Sequence, residues 1–173
     1  KAEVVIDVLR KISAGKRSLV KEVTLDLSPS MQLIVKRAFP CAIQVSDRFH
    51  VQKLLGEALE EIRIQHRWKA IEAENEKIKL EKDQKRQYVP KTYENGETRR
   101  QLLARSKHLL LMHCSKWTEV QQKRAEVLFR LYPDIKECYD RYLELVQIYN
   151  LKINDRPTLM TKLARWYDRV YKM

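Results

Sequence analysis

The feature that most constrains the fold is a short strand–helix–strand pattern that only helical patterns follow. Residues 22–27 alternate polar and apolar side chains, several of them β-branched, as a half-buried strand does. Ser28 and Pro29 then supply an N-cap and a first-turn proline for a helix that Pro40 ends. Residues 42–46 form the second strand. Strands joined by one helix in so few residues are predicted to be parallel, with a right-handed crossover.

Two parallel strands make a poor sheet by themselves. Parallel strands are normally buried on both faces within a larger sheet. The chain also opens on a helical pattern without an initiator methionine. We therefore expect a fragment whose sheet continues elsewhere. The open edge at residues 22–27 is then expected to self-associate or to be shielded by a helix or loop.

The rest of the chain predicts helices. The first runs over residues 2–13 with Gly15 as its stop, and a stripe of apolar residues begins a long one at Val51. Its charged continuation over 72–87 precedes a loop at 88–97. Further helices are predicted from Arg99, from the capping box Thr118–Gln121 with Val120, Ala125, Leu128 and Phe129 facing inward, and over 134–150 and 158–172. The predicted fold is mainly α with a small α/β part, divided into residues 1–50 and an all-α region over 51–173.

Charge favours a polyanionic partner. The chain has 35 Lys and Arg against 23 Asp and Glu, a formal net charge of +12. The net charge is +4 over residues 1–50, zero over 51–98 and +8 over 99–173. Cations that neutralise phosphates release condensed counterions, which indicates nucleic acid, although a basic protein without that role has the same composition. No apolar stretch is long enough to span a bilayer, so no membrane partner is expected.

Cysteine usage indicates a reducing compartment. The three cysteines, Cys41, Cys114 and Cys138, are odd in number and lack CxxC spacing. They are predicted to be buried, small apolar residues of a cytoplasmic protein.

Three side chains of the strand–helix–strand segment are candidates for metal chemistry. Asp26 lies at the end of the first strand, where carboxylates are well placed to hold hard cations such as Mg²⁺. The alternative is an aspartate that only assists the start of the next helix. Asp47 and His50, three residues apart, can share a helical face. Their alternative is an N-cap aspartate beside a hydrogen-bonded core histidine.

Basic and aromatic residues are candidates for DNA contacts. Arg99, Arg100, Arg105 and Lys107 form the densest basic group, and a solvated helical face is the alternative. Trp68 follows the Asp47–His50 motif and is the first candidate among Trp68, Trp117 and Trp166 for stacking on a base. A core position is the alternative for all three.

The order of these motifs resembles the central part of a bacterial insertion-sequence transposase. The resemblance rests on residues 24–31 (TLDLSPSM), 38–42 (AFPCA) and 45–51 (VSDRFHV), and later on 122–125 (QKRA), Leu128-Phe129 and Tyr132-Pro133. In such transposases a helical insertion interrupts an RNase H-like domain with an Asp-Asp-Glu triad. The resemblance implies that residues 1–50 are a remnant of that sheet and residues 51–173 the insertion.

The resemblance also implies roles. Asp26 matches the second aspartate of the triad and would be catalytic and metal-binding, with Asp47 as the less favoured alternative. Asp47 and His50 are similar to a supporting motif of Mutator-like transposases. The first aspartate is expected before Lys1 and the glutamate after Met173, so the fragment alone is expected to be inactive.

The resemblance extends to cofactor, partners and location. Two Mg²⁺ or Mn²⁺ ions, DNA as transposon ends and target, a homo-oligomeric active complex, and a bacterial cytoplasmic, nucleoid-associated location are implied. The alternatives are a non-enzymatic basic helical module that binds nucleic acid and a helical protein-interaction domain.

Overall fold

A computed structural model describes residues 1–152 and 155–173. The chain divides into two compact units, Lys1–Leu54 and Leu55–Met173. The predicted boundary lies at residue 50, and the assignment of the two parts to catalytic core and insertion stays a prediction.

The described residues form two strands, eight α-helices and two short 3-10 turns. The strands are β1 (Glu22–Leu25) and β2 (Ile43–Ser46), the helices are α1 (Ala2–Arg10), α2 (Ala14–Ser18), α3 (Pro29–Ala38), α4 (Arg48–Asp83), α5 (Arg99–Arg105), α6 (Glu119–Leu131), α7 (Pro133–Asn150) and α8 (Arg156–Tyr171), and the turns are Leu109–Leu111 and Cys114–Lys116.

The strand–helix–strand segment folds as predicted. β1 and β2 are parallel neighbours in register from Glu22 opposite Ile43 to Leu25 opposite Ser46, and α3 connects them. The Ser28 hydroxyl accepts the Met31 N–H at 3.3 Å, and Pro29 occupies the first turn of α3. The fold class, mainly α with a small α/β part, is confirmed.

The Lys1–Leu54 unit has a small core. α1 packs against α3. The buried hydrophobic residues of the unit are Ile6, Leu25, Ile34, Val35 and Ala38. All four residues of β2 are exposed, as are four apolar residues of the α1 region, Val4, Val5, Val8 and Ile12. Much of the apolar surface of this unit is therefore uncovered.

The prediction of one helix over residues 2–13 is wrong. α1 ends at Arg10, and a second short helix, α2, begins at Ala14 and includes Gly15. The Ser13 hydroxyl caps α2 by accepting the Lys16 N–H, which gives the backbone a local alternative to continuing α1.

The Leu55–Met173 unit holds the larger core. Its central cluster is supplied by α4, α5, α6, α7 and the first 3-10 turn. The buried residues are Leu59, Ala70, Leu102, Leu103, Leu109, Leu110, Ala125, Val127, Leu128, Tyr132, Ile135, Cys138 and Tyr139. Trp117 stacks on Tyr139 with a centroid distance of 5.5 Å and donates its indole N–H to the Leu109 carbonyl at 3.0 Å. Trp117 therefore belongs to this core.

The prediction that all three cysteines are buried is wrong. Cys138 is buried, whereas Cys41 and Cys114 are exposed because they lie in the turn before β2 and in the second 3-10 turn.

The helix boundaries of this unit follow local signals. The predicted capping box Thr118–Gln121 is present, and a second one, Thr98–Gln101, starts α5. Ala125 and Leu128 are buried and Phe129 packs against the core, whereas Val120, expected to face inward, is 65% exposed. At about 100° per residue, Val120 is displaced roughly 140° around the helix from Ala125, so the two cannot share one buried face.

The part of the chain that the structure describes adds little strand pairing after β2. After β2 the described residues add one isolated antiparallel bridge, Thr92 with Thr98. Over residues 1–152 and 155–173, no helix is both long and apolar enough to cross a membrane.

Candidate functional site

The parallel register of the two strands brings the predicted carboxylates to one edge. Leu25, the last residue of β1, lies opposite Ser46, the last residue of β2. The next residues are Asp26 and Asp47, and the Asp47 N–H donates to the Leu25 carbonyl at 2.9 Å. Both aspartates therefore follow the carboxyl ends of neighbouring strands, the position in which open α/β sheets place ligand-binding groups.

Asp26 is held as an ionised carboxylate by the turn that leads into α3. Its Oδ1 accepts the Ser28 N–H at 3.0 Å. Hydrogen bonds from the Ser28 N–H and hydroxyl, with a smaller contribution from the charge of nearby His50, lower the pKa of Asp26 below its ordinary value. Ser28, not Asp26, caps the helix. Asp26 thus supports the turn and keeps the charge that a cation requires.

Asp47 and His50 lie beside this carboxylate at the start of α4. Asp47 Oδ1 accepts the Phe49 N–H at 2.9 Å, and Asp47 Oδ2 lies 3.7 Å from His50 Nε2. The side chains of Asp47 and His50 are 38% and 39% exposed, so His50 is not a core residue. The arrangement is a half-exposed Asp–His pair within electrostatic reach of Asp26.

These groups fit part of a metal site. Asp26 and Asp47 offer the hard carboxylate oxygens that Mg²⁺ and Mn²⁺ prefer, and each uses only one oxygen for its backbone hydrogen bond. Across the described parts of the chain, no group of three or more His, Cys, Asp or Glu side chains is arranged to hold a metal ion. Asp26 and Asp47 therefore supply at most part of a coordination sphere. The first aspartate and the glutamate of a triad stay predictions.

The predicted basic group does not form one free cationic face. Arg99 donates to the Tyr132 hydroxyl at 2.7 Å and lies over the Tyr132 ring. Arg105 pairs with Glu97 at 3.1 Å, and Arg100 lies 3.7 Å from Glu74. Lys107 is exposed. Arg99 and Arg105 thus stabilise the fold of this unit, and their role in DNA binding stays a prediction.

Glu97 is the buried ionic centre of this unit, and it is not among the residues predicted from the sequence. It is 5% exposed and accepts hydrogen bonds from Arg105 and, at 2.6–3.1 Å, from Arg124 of α6. Burial alone would raise the pKa of Glu97, but its hydrogen bonds to Arg124 and Arg105 outweigh burial and lower it. No sequence pattern links Glu97 to a partner 27 residues away.

Further basic side chains line a cavity beside α5. It lies among α4, the 88–98 loop and the start of α5, and has a volume of about 230 Å³. Its charged lining residues are Glu74, Lys77, Lys91, Arg99 and Arg100, and Tyr88 and Tyr93 line it too. Cations outnumber the single carboxylate, so this cavity is better suited to an anion than to a neutral ligand. Lys77 and Lys91 gave no signal in the sequence because they lie far apart in charge-balanced stretches.

The three tryptophans are separated by exposure. Trp68 on α4 is 61% exposed. Trp117 packs in the core, and Trp166 is half-buried and donates its indole N–H to the Arg141 carbonyl at 2.9 Å. Of these three rings, Trp68 is the one with a face available to a ligand.

A comparison with protein families gives the class of protein to which this chain belongs. A family model, ISL3, described as transposase, matches residues 1–173. The chain belongs to the ISL3 transposase family. Membership implies DNA as a partner of the protein.

Other comparisons add no relatives. No curated protein and no solved structure matches the chain. ISL3 is a different family from the Mutator-like transposases, so the resemblance of Asp47 and His50 to the Mutator-like motif is not shown.

Proposed function

We propose that this chain is the part of an insertion-sequence transposase that carries the second catalytic aspartate, Asp26, in metal-dependent DNA strand cleavage and strand transfer. The observation that carries the proposal is the placement of an ionised Asp26 at the carboxyl end of β1, beside Asp47 at the end of β2. ISL3 family membership supports the reaction class.

The reaction explains why a carboxylate is needed there. When bound, a pair of Mg²⁺ or Mn²⁺ ions activates an attacking oxygen and stabilises the leaving oxygen of a phosphodiester. Asp26 would hold such an ion through Oδ2, the carboxylate oxygen that the Ser28 N–H does not engage. The turn at Ser28 fixes the direction of this side chain before the ion arrives, which lowers the cost of ordering it on binding.

Asp47 and His50 would support this site. Asp47 anchors the first turn of α4 by accepting the Phe49 N–H, and His50 places a titratable ring near both carboxylates. We propose a positioning role for the pair.

The DNA contacts would come from exposed groups of the Leu55–Met173 unit. Arg100 and Lys107 have exposed side chains, Arg100 shares its cavity with Lys77 and Lys91, and Trp68 offers an exposed ring. We propose that these residues contact transposon-end or target DNA within a homo-oligomeric complex. Arg99 and Arg105 would add charge nearby while anchored to Tyr132 and Glu97.

The catalytic experiment compares three single substitutions in the transposase on transposon-end DNA with Mg²⁺. Asp26→Asn keeps the shape of the side chain but removes its charge, and should lower cleavage and joining by several orders of magnitude while DNA binding persists. Asp47→Asn should be milder, because a weakened helix start costs about 1 kcal/mol. Asp7→Asn, at an exposed position of α1, is the matched control.

Three results would count against this assignment. Normal cleavage by Asp26→Asn with loss of cleavage in Asp47→Asn would move the second triad carboxylate to Asp47. Full cleavage in all three variants would show that neither Asp26 nor Asp47 is a catalytic carboxylate. Binding of DNA without cleavage by the unaltered transposase would favour the alternative, a basic helical module that binds nucleic acid without catalysis.

The DNA-binding experiment separates Arg100 and Lys107 from Arg99 and Arg105, which hydrogen-bond to Tyr132 and the buried Glu97. Each cation–phosphate contact contributes roughly 0.9 to the slope of log affinity against log salt concentration. Replacing Arg100 and Lys107 with Ala should flatten that slope without loss of stability. Replacing Arg99 and Arg105 should also destabilise the fold, since both hold internal partners. If neither double substitution changes the salt slope, these four residues form a solvated face that does not contact DNA.

A further inference from the structure

Helix α8 differs in charge from the helix it packs against. α8 carries Arg156, Lys162, Arg165 and Arg169 against the single acid Asp168, and Lys172 follows at its end. α7 has the opposite balance, with four acidic and two basic residues. The excess positive charge of this part of the chain is therefore concentrated on α8.

Two contacts to α7 fix which side of α8 faces outward. Trp166 donates its indole N–H to the Arg141 carbonyl at 2.9 Å, and Arg169 pairs with Glu144 at 3.1 Å. The half-buried residues of α8 are Leu159, Leu163, Trp166 and Val170, at the spacing of one helical face. That face is turned to α7, so the rotation of α8 is set by its own apolar side.

The cations lie beside that face on one line of the helix. Lys162, Arg165, Arg169 and Lys172 are spaced three, four and three residues apart, and all are exposed. Within the described residues, Lys162, Arg165 and Lys172 have no ion pair, whereas Arg169 pairs with Glu144. Glu144 is the single acid of the groove that Lys162, Arg165 and Arg169 line along α7, and Asp168 lies at the edge of the basic side.

We propose that this basic face of α8, defined by Lys162, Arg165, Arg169 and Lys172, binds the phosphate backbone of DNA. The inference rests on the proposed function and adds a contact surface separate from the α5 region. At 1.5 Å per residue, the face spans roughly 15 Å, comparable to about four phosphates of one strand at 3.4 Å per charge. Evenly spaced, flexible cations without base-reading partners predict binding that is largely independent of sequence.

A polyanion is favoured over an anionic membrane by the distribution of apolar groups. A membrane-surface helix buries a broad apolar face among the lipids, next to its basic flank. The main apolar face of α8 is instead packed on α7 through Trp166. The exposed Met160, Tyr167 and Tyr171 lie on the side of the helix away from the basic face.

The experiment measures duplex DNA affinity of the 173-residue chain as a function of salt, with a charge-matched control. The test variant is Lys162→Gln/Arg165→Gln/Lys172→Gln. The control is Lys123→Gln/Arg130→Gln/Lys136→Gln, which removes the same charge from residues already paired with Glu119, Glu94 and Asp140. We expect the salt slope to fall by roughly 2–3 in the test variant and by less than one in the control.

A charge-conserving variant, Lys162→Arg/Arg165→Lys/Lys172→Arg, should keep the original slope, and circular dichroism should show the same helix content in every variant. Equal slopes for the test and control variants, with the unaltered chain still binding DNA, would overturn the α8 assignment alone. Failure of the unaltered chain to bind DNA would overturn the DNA-binding part of the proposed function. Loss of binding to vesicles of anionic lipid, with DNA affinity unchanged, would reassign the face to membrane.

Discussion

The two compact units of this chain contrast in core and in chemistry. The Lys1–Leu54 unit holds the candidate catalytic carboxylate Asp26 on a two-stranded sheet with few buried residues. The Leu55–Met173 unit contains the large helical core and the buried Glu97 cluster. The candidate site thus lies in the unit with fewer buried residues, and most of the packing energy lies in the other unit.

The contrast shows that a site can be built from local turns while its surroundings stay uncovered. Asp26 depends on the turn at Ser28, and Asp47 on the first turn of α4. Neither needs a deep core. Apolar residues of α1 and β2 are exposed, and the expectation that more structure covers this unit in the active transposase stays a prediction.

The largest expected effect is in the helical core. Leu128 is fully buried, and Leu128→Ala removes its contacts and leaves a cavity. The free energy of unfolding should fall by about 3–5 kcal/mol. Denaturant unfolding followed by tryptophan fluorescence measures this loss. The exposed Leu131→Ala, on the same helix, is the matched control and should cost much less.

The buried ionic cluster should have the next largest effect. Glu97→Ala leaves Arg124 and Arg105 without their buried partner and should cost about 3 kcal/mol. Glu119→Ala, which breaks an exposed pair with Lys123, should cost less than about 1 kcal/mol. Thermal unfolding of the two variants compares them. Equal losses would show that Glu97 is not a stabilising centre.

The same cluster predicts a pH dependence. Because the pKa of Glu97 is lowered in the folded chain, its stabilisation is complete above the pKa of the unfolded carboxyl. It is lost as the pH falls through the lower, folded pKa. The difference in unfolding free energy between the unaltered chain and Glu97→Gln should therefore shrink in acid. A difference independent of pH would contradict the ionised, paired state of Glu97.

A smaller effect is expected at the start of α3. Ser28→Ala removes the helix cap and should cost about 1 kcal/mol. It also removes the hydroxyl that helps lower the pKa of Asp26, so that pKa should rise toward its ordinary value. Carboxyl carbon NMR titration reports the change. Thr118→Ala removes the cap of α6 and should leave the Asp26 titration unaltered.

The smallest effect is expected on the exposed face of α1. Val8 is 56% exposed, so Val8→Ser should change the free energy of unfolding by no more than about 0.5 kcal/mol. In the active transposase complex the same substitution should be more costly if another segment covers α1. Thermal unfolding of the chain and of the complex, with Ser13→Ala as an α2-cap control, shows whether α1 is exposed or covered in the complex.

The sequence by itself determined the local elements and the candidate carboxylates. Three local signals involve only residues that are neighbours in the chain: the alternation over 22–27, the helix start at Ser28-Pro29 and the capping box Thr118–Gln121. Such signals can be recognised without knowledge of the fold. The parallel pairing followed from the short crossover, and it placed Asp26 and Asp47 at one edge. Even the break between α1 and α2 had a local cause at Ser13, although the longer apolar pattern concealed it.

Only the tertiary structure decided which charges are free. Arg105 and Lys107 look equivalent in the sequence, but a buried carboxylate engages Arg105. Glu97 meets Arg124 across 27 residues, and Trp166 sets the rotation of α8 through a carbonyl of α7. Such partners depend on how helices pack, and packing brings together residues whose separation in the chain carries no periodic signal. The physical reason is that apolar periodicity indicates which face of a helix is buried. Charge pairing depends instead on which neighbouring element packs against that helix.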